Sequence, residues 1–308
     1  MAREIITNRQ AKFYPMKPER LPKLSAIVPV NNYFQHRSNI EKIIHDCVSL
    51  EIELILVLDR QSSEASEDLR ALFKKSDGYG LVIACDSGNP GGARNAGLIC
   101  ATAEWITFWD CDDEPRVSKI FEMILSSSEA KNQVLVGSFQ IKSLEGETST
   151  IRILDLNNWD IDLGLNPGIW RFVFRKDLIE DTRFPDARMG EDQIFLQRVI
   201  SKEPDVLISH IVTYVYRTNV PNQLTSELVS LKDLVGINII ATQEFKPRTK
   251  YSRISKTMII RQLLTLSKSE SMEPLVRLTY FARAIILLAG DPKILFRLVK
   301  LTFEKIPK

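Results

Sequence analysis

Apolar residues alternate between two rhythms along the first part of the chain. Nearly continuous apolar runs recur: LSAIVPV (Leu24–Val30), IELILVLD, GLVIAC and EWITFWD. Short runs without polar alternation read as strands covered on both faces, as in a parallel sheet. Between them the period lengthens to that of a helix. Ile40, Ile43, Ile44, Cys47 and Val48 share one helical face, and Ser38 with Glu41 has the spacing of a capping box. A second helix is expected from about Glu64 to Lys75 and a third in the glycine-led GGARNAGLICATA. Pro115 is expected to open a fourth, with Val117, Ile120, Phe121, Ile124 and Leu125 on one face. Four βα units in succession predict a doubly wound α/β sheet flanked by helices.

After Ser126 the rhythm becomes less regular. NQVLVGSFQIKS, STIRILDL and GIWRFVFRK read as strands, DVLISHIVTYVYR as a strand pair, and GEDQIFLQRVIS as a short helix. From about Leu224 the pattern is helical only. The chain therefore divides into a polar lead-in (1–22), an α/β domain (23–220) and a C-terminal helical region (221–308).

Composition changes this picture little. The 308 residues are 44% apolar and 26% charged, as in a globular protein. Cys47, Cys85, Cys100 and Cys111 have no metal-site spacing and read as free thiols in a reducing compartment. The opening MAREIITNRQ is polar, and no apolar run reaches the ~18 residues of a membrane span. The expected location is cytoplasmic, free or peripheral on the cytoplasmic face of a membrane. Charge adds more. The net +2 hides 14 Lys/Arg against 5 Asp/Glu from Glu244 onward, and a net −7 before it. The basic helices carry two readings: a subdomain packed on the α/β domain with its charges in water, or attachment to an anionic leaflet. No nucleic-acid recognition motif accompanies the charge.

The candidate chemistry lies at strand ends, where open parallel sheets bind ligands. Asp59 ends the second apolar run, Cys85-Asp86 the third, and Asp110, Asp112 and Asp113 the fourth. Converging carboxylates repel, and oxygen-only ligands suit Mg²⁺ or Mn²⁺. Asp113 and Glu114 also read as charges at a helix N-terminus. Arg94 reads either as a surface helix residue or as one that is buried or faces a phosphate.

Together LSAIVPV, IELILVLD, GNPGGARNAGL, ITFWDCDDEP and MGEDQIF resemble, in order and spacing, the family 2 glycosyltransferases of GT-A fold. The resemblance covers roughly Leu24 to Arg217. It implies a nucleoside-diphosphate sugar donor, UDP-linked, an inverting transfer and a divalent ion, Mn²⁺ or Mg²⁺. Pro29, Asp59, Arg94, Asn95, Asp110 and Cys111 would contact the nucleotide sugar, with Asp59 at the base. Asp110-Cys111-Asp112 matches the family's DxD motif, so Asp112 and Asp110 would hold the metal. Asp192 would be the catalytic base, with Glu191 its neighbour. The acceptor would be a glycan or lipid-linked sugar in surface polysaccharide synthesis. The chain departs from the family at Asn31-Asn32, at Asp59-Arg60-Gln61, and in VYRTNVPNQ, which lacks the family's histidine. It also lacks the Gln-x-x-Arg-Trp motif of processive members. Rival expectations are a non-catalytic nucleotide-sugar-binding module and a nucleotidyltransferase. The latter needs a glycine- and lysine-bearing loop that VPVNNYFQHR does not supply.

Overall fold

The computed structural model describes residues 22–76, 79–127, 131–143, 149–152, 155–219 and 231–304; all of the expected lead-in but Pro22 falls outside these. The chain runs β1 (Leu24–Val30), α1 (Tyr33–Val48), β2 (Glu53–Asp59), α2 (Ser63–Lys75), β3 (Gly80–Cys85), α3 (Pro90–Cys100) and β4 (Trp105–Phe108). It continues β5 (Glu114–Pro115), α4 (Val117–Ser126), β6 (Val134–Ser143), β7 (Ser149–Arg152), α5 (Trp159–Leu165), a 3₁₀ turn at Ile169–Arg171, and β8 (Phe172–Arg175). Next come α6 (Lys176–Ile179), α7 (Glu191–Ile200) and β9 (Val206–Thr218). The last described elements are the helices α8 (Leu231–Gln243), α9 (Ser252–Ser267), α10 (Pro274–Ala289) and α11 (Pro292–Glu304).

One sheet has the order β3-β2-β1-β4-β8-β6-β9-β5, with β7 beside β6. β1 pairs parallel with both β2 and β4, β2 with β3, and β6 with β9; β8 runs antiparallel between β4 and β6. The mostly parallel α/β sheet expected from the sequence is therefore the one found. The reason lies in side-chain alternation. Along β1, Leu24, Ala26, Val28 and Val30 pack with Ile40 and Ile44 of α1, while Ile27 packs with Ala93 and Leu98 of α3. Leu54, Leu56 and Leu58 of β2 face the first of these cores, Ile55 and Val57 the second. Both faces are dry, so both sets of positions are apolar. At Gly97 a Cβ would sit 2.4 Å from Ile27 Cγ2 and 3.2 Å from Val57 Cγ2, so only glycine lets α3 lie this close to the sheet.

Four local expectations are corrected. The first helix does not start at a Ser38–Glu41 capping box. It starts at Tyr33, after Asn32 in the left-handed region (φ 55°). Gln61 accepts the Tyr33 N–H at 3.0 Å, and the Tyr33 hydroxyl donates to Asp68, so distant residues satisfy this helix end. Pro115 does not open α4; it pairs with Tyr214 in β5, and the helix begins at Val117. DVLISHIVTYVYR is one long strand, β9, whose register against β6 shifts between Val136 and Phe139. GIWRFVFRK is a 3₁₀ turn before a short strand.

The chain moves outward from β1 through β2 to β3, then returns to place β4 on the other side of β1. That reversal opens a crevice at the carboxyl ends of β1 and β4. Asp110 follows it, two residues past the end of β4.

Candidate active site

Three loops meet at the carboxyl edge. The Asp59 carboxylate at the end of β2 accepts Ser87 N–H at 2.8 Å, Gly88 N–H at 3.1 Å and the Ser87 hydroxyl at 2.9 Å. It therefore organises the β3–α3 loop, and both of its oxygens are engaged there. Asn89 caps α3 through Gly92 N–H at 2.7 Å, with Pro90 in the first turn. Pro29 sits near the end of β1, paired with Val57.

Arg94 projects from α3 and is 5% exposed. Its Nη2 donates to Asp110 Oδ1 at 2.7 Å and its Nη1 to Glu191 Oε1 at 2.6 Å, while the guanidinium lies 5.5 Å from the centre of the Phe184 ring. One planar fork thus joins the loop after β4 to the start of α7. Burial opposes its charge, but Asp110, Glu191 and Asp192 together hold the guanidinium pKa above its usual value. Of the two readings of Arg94, the buried one holds.

Glu191 and Asp192 open α7 directly after Gly190, at φ 76°. Burial pushes the Glu191 carboxyl up to about 7, with Asp192 adding to the shift and Arg94 opposing it. Burial also raises Asp192, against the pull of Arg94 and Arg261, and Asp110 is close enough to raise it further. Asp192 Oδ1 accepts the Gln193 N–H at 2.8 Å. Burial is thus the main cause of both raised values, and the neighbouring carboxylates add to it while Arg94 opposes it.

The β4–β5 loop is braced from outside the motif. Asn39 donates to the Cys111 and Asp113 carbonyls at 2.9 and 2.6 Å. Arg217 N–H donates to Asp113 Oδ1 at 2.7 Å, and the Arg217 guanidinium reaches Glu114, Asn39 and the Asp112 carbonyl. The Tyr214 hydroxyl accepts the Asp110 N–H at 3.0 Å. Asp113 is fully buried, and burial with the Asp112 and Asp110 charges pushes its carboxyl well above the usual range. Asp113 is thus a buried strut of the loop, and the reading of it as a charge at a helix N-terminus does not hold.

The structure brings Asp110, Glu191, Asp192 and Arg94 together, with Asp112 on the same loop and Asp59 on the same edge. Two expected donor contacts have their polar groups elsewhere. The Asn95 side-chain amide is paired at both ends with the Phe184 backbone, each bond 2.9 Å. The Cys111 side chain is buried in the core, with Sγ 3.6 Å from Asn31 Oδ1. Asn39, Tyr214 and Arg217 were not singled out in the sequence. The only signal was that Tyr214 and Arg217 fall in or beside the tract resembling the family's last motif. Trp170 stacks on Tyr214 at 4.6 Å and Tyr216 at 5.6 Å and meets Phe139 edge-on, which makes it part of the packing beneath this loop.

No group of three or more acidic, histidine or cysteine side chains among the described residues is arranged to hold a metal. Asp110, with one oxygen on Arg94, and Asp112 are the two carboxylates that the β4–β5 loop could offer a metal. That suits an ion such as Mg²⁺ or Mn²⁺, which binds one or two carboxylates and completes its shell with phosphate oxygens and water.

Known proteins resemble this chain in sequence and in fold. The succinoglycan biosynthesis protein ExoO of Rhizobium meliloti is 26% identical over 282 residues, covering 85% of this chain and 79% of its own. The GalNAc(5)-diNAcBac-PP-undecaprenol beta-1,3-glucosyltransferase of Campylobacter jejuni is 26% identical over 184 residues, 56% of this chain and 58% of its own. S. aureus TarS 1-349 in complex with UDP-GlcNAc superposes with a TM-score of 0.67 at 18% identity, over 86% of this chain and 81% of that one. Mannosyltransferase PcManGT from Pyrobaculum calidifontis, in complex with GDP-Man and Mn²⁺, has a TM-score of 0.56 at 14% identity, over 97% and 92%. At these identities the two solved structures speak for the fold alone. The family described as Glycosyl transferase family 2 matches residues 25–198, more than half of the chain. With that match and the GT-A-like architecture, the chain belongs to glycosyltransferase family 2.

Proposed function

We propose that this family 2 glycosyltransferase moves a sugar from a nucleoside diphosphate, UDP in the first instance, to a hydroxyl of a glycan or lipid-linked acceptor, with inversion, during polysaccharide synthesis. The observation that carries the reading is the Arg94 fork between Asp110 and Glu191. It couples the carboxylates suited to a metal–diphosphate to the carboxylates suited to an acceptor. The names of ExoO and the Campylobacter enzyme support the pathway and the acceptor class. The donor class is taken by analogy from TarS, which shares the fold and is solved with UDP-GlcNAc.

In this reading residues 23–220 form the catalytic domain and 221–308 a helical appendage. Asp110 and Asp112 hold the divalent ion. When bound, that ion would neutralise the departing diphosphate as a Lewis acid. The carboxyl edge around Pro29, Asp59 and the start of α3 receives the nucleotide sugar, with Asp59 shaping the β3–α3 loop as well as lying near the base. Asp192 accepts the acceptor's proton as the hydroxyl attacks, a contribution of ~10²–10⁴-fold. Its raised pKa brings it closer to that of a useful base. Arg94 holds the Asp110 carboxylate in place and positions the α7 start.

The test is a panel of nucleotide sugars, with and without Mn²⁺ or Mg²⁺, scored by thermal stabilisation and then by release of the nucleoside diphosphate. A bound donor at 100 times its dissociation constant adds ~2.7 kcal/mol. Stabilisation by one donor, with turnover lost in Asp192→Asn, is the expected result. Stabilisation with no turnover in either protein would instead identify a binding module, and no response to any nucleotide sugar would end the proposal.

A further inference from the structure

Helix α10 carries apolar side chains on opposite sides. One stripe, including Ala284 and Leu288, is buried, with Ala284 packed beside Ile259 and Leu263 of α9. On the other side Leu275, Leu278, Ile285 and Ile286 are 78%, 61%, 46% and 70% exposed. These positions recur at helical spacing and share the outward face. A surface helix packed on a core ordinarily turns polar residues outward, and this one does not.

Helix α11 repeats the pattern. Ile294 is buried, whereas Phe296 is 73% and Val299 44% exposed. Its orientation is fixed: Arg297 grips Asp162 of α5 with two bonds of 2.8 and 2.7 Å. The outward apolar face is thus a built surface and not a loose tail. Exposed cations flank it, Arg283 on α10 and Lys293 on α11. Among the described side chains of the two helices there is no acid. The nearby Asp291, between them, is paired with Arg253 at 3.1 Å.

We propose that the outer faces of α10 and α11 form a docking surface for an anionic phospholipid leaflet, on which the protein lies with both helices in the interfacial plane. Apolar residues would enter the headgroup–acyl boundary while the flanking cations meet lipid phosphates. Crossing is not at issue, because no described helix is long and apolar enough to span a membrane. A second copy of the chain is a poorer occupant. In a two-fold pairing the patch meets itself and neither helix offers Arg283 and Lys293 a described acid, whereas a leaflet supplies negative charge across the whole face. The inference rests on these two helices alone and stands or falls separately from the transferase reading.

The experiment is flotation of the purified full chain with vesicles of mixed phosphatidylglycerol and phosphatidylcholine, or of phosphatidylcholine alone, without any sugar donor. Wild type should bind the anionic vesicles at least about tenfold more tightly than the neutral ones and lose binding as salt rises. The triple variant Leu278→Gln, Ile286→Gln, Phe296→Gln should lose about a hundredfold or more. The pair Arg283→Gln, Lys293→Gln should lose about thirtyfold, since each cation near the surface supplies roughly a fivefold gain. Both variants should keep the wild-type melting temperature, because the altered side chains are exposed. The pair leaves the apolar face intact, so it keeps the test valid if the triple variant folds poorly. Sedimentation in the absence of lipid should show a monomer for every protein. Wild type that ignores anionic vesicles overturns the proposal. So does a wild-type dimer that the triple variant dissociates, which would make the face a contact between copies.

Discussion

Replacing Arg94 by Gln removes the one cation that Asp110 and Glu191 share. Arg94 and Glu191 are each 5% exposed, so that arm of the fork is nearly dry; the Asp110 side chain is 31% exposed, so its arm is partly screened. Removing one partner of a buried pair costs roughly 3–5 kcal/mol, because the remaining charge stays buried and unpaired. The loss should depend on pH, and its sign follows from Glu191. Burial already pushes that carboxyl up to about 7 in the folded protein, above its ordinary 4.5. A raised folded pKa gives stability that is present below the unfolded pKa and is lost as pH rises through the folded one. Without Arg94 the folded pKa moves higher still, so the variant weakens further as pH rises from about 5 to about 8. Urea denaturation of both proteins at those two ends should show a difference near 3 kcal/mol or more at the alkaline end and a clearly smaller one at the acid end. Arg94→Lys keeps the charge without the two-pronged reach and should lose about 1–2 kcal/mol, with most of the activity gone. A destabilisation under about 1 kcal/mol for Arg94→Gln, or one that does not change with pH, would refute the account of Arg94 as the hub of the cluster.

Three other outcomes follow from the same geometry. Asp192→Asn should lower kcat by ~10²–10⁴-fold while donor-induced thermal stabilisation persists, and wild-type activity should rise with pH through the raised Asp192 pKa; a pH-independent rate would argue against Asp192 as the base. Asp112→Asn should abolish the part of the donor's thermal shift that depends on Mn²⁺ or Mg²⁺; an unchanged metal dependence would place the ion elsewhere. Gly97→Val should cost about 1–3 kcal/mol in denaturation experiments, since its branch point would press on Ile27 and Val57; wild-type stability would mean that α3 moves off the sheet freely.

The strands and helices that pack on both sheet faces were legible because dry faces leave an unmixed apolar pattern. Ile52 to Leu58 is apolar at all positions but Glu53, and Glu53 is itself buried, accepting bonds from Ser25 and from the N–H and hydroxyl of Thr102. Boundaries set by partners far along the chain were not legible. The start of α1 depends on Gln61, and Pro115 is held in a strand by β9. In the candidate site, the acidic residues stood out as charges at the ends of apolar runs. Asn39, Tyr214 and Arg217 did not, because a brace is recognised by what it touches, and its contacts lie roughly a hundred residues or more away in two of the three cases.

By itself the sequence determined the α/β class, the sheet-forming runs and the type of chemistry at their ends, because periodicity and charge are local properties of the chain. Only the tertiary structure decided which carboxylates share a cation, which one is a buried strut and which apolar helix faces remain uncovered. Those are matters of distance and solvent access, which depend on segments brought together from remote parts of the chain.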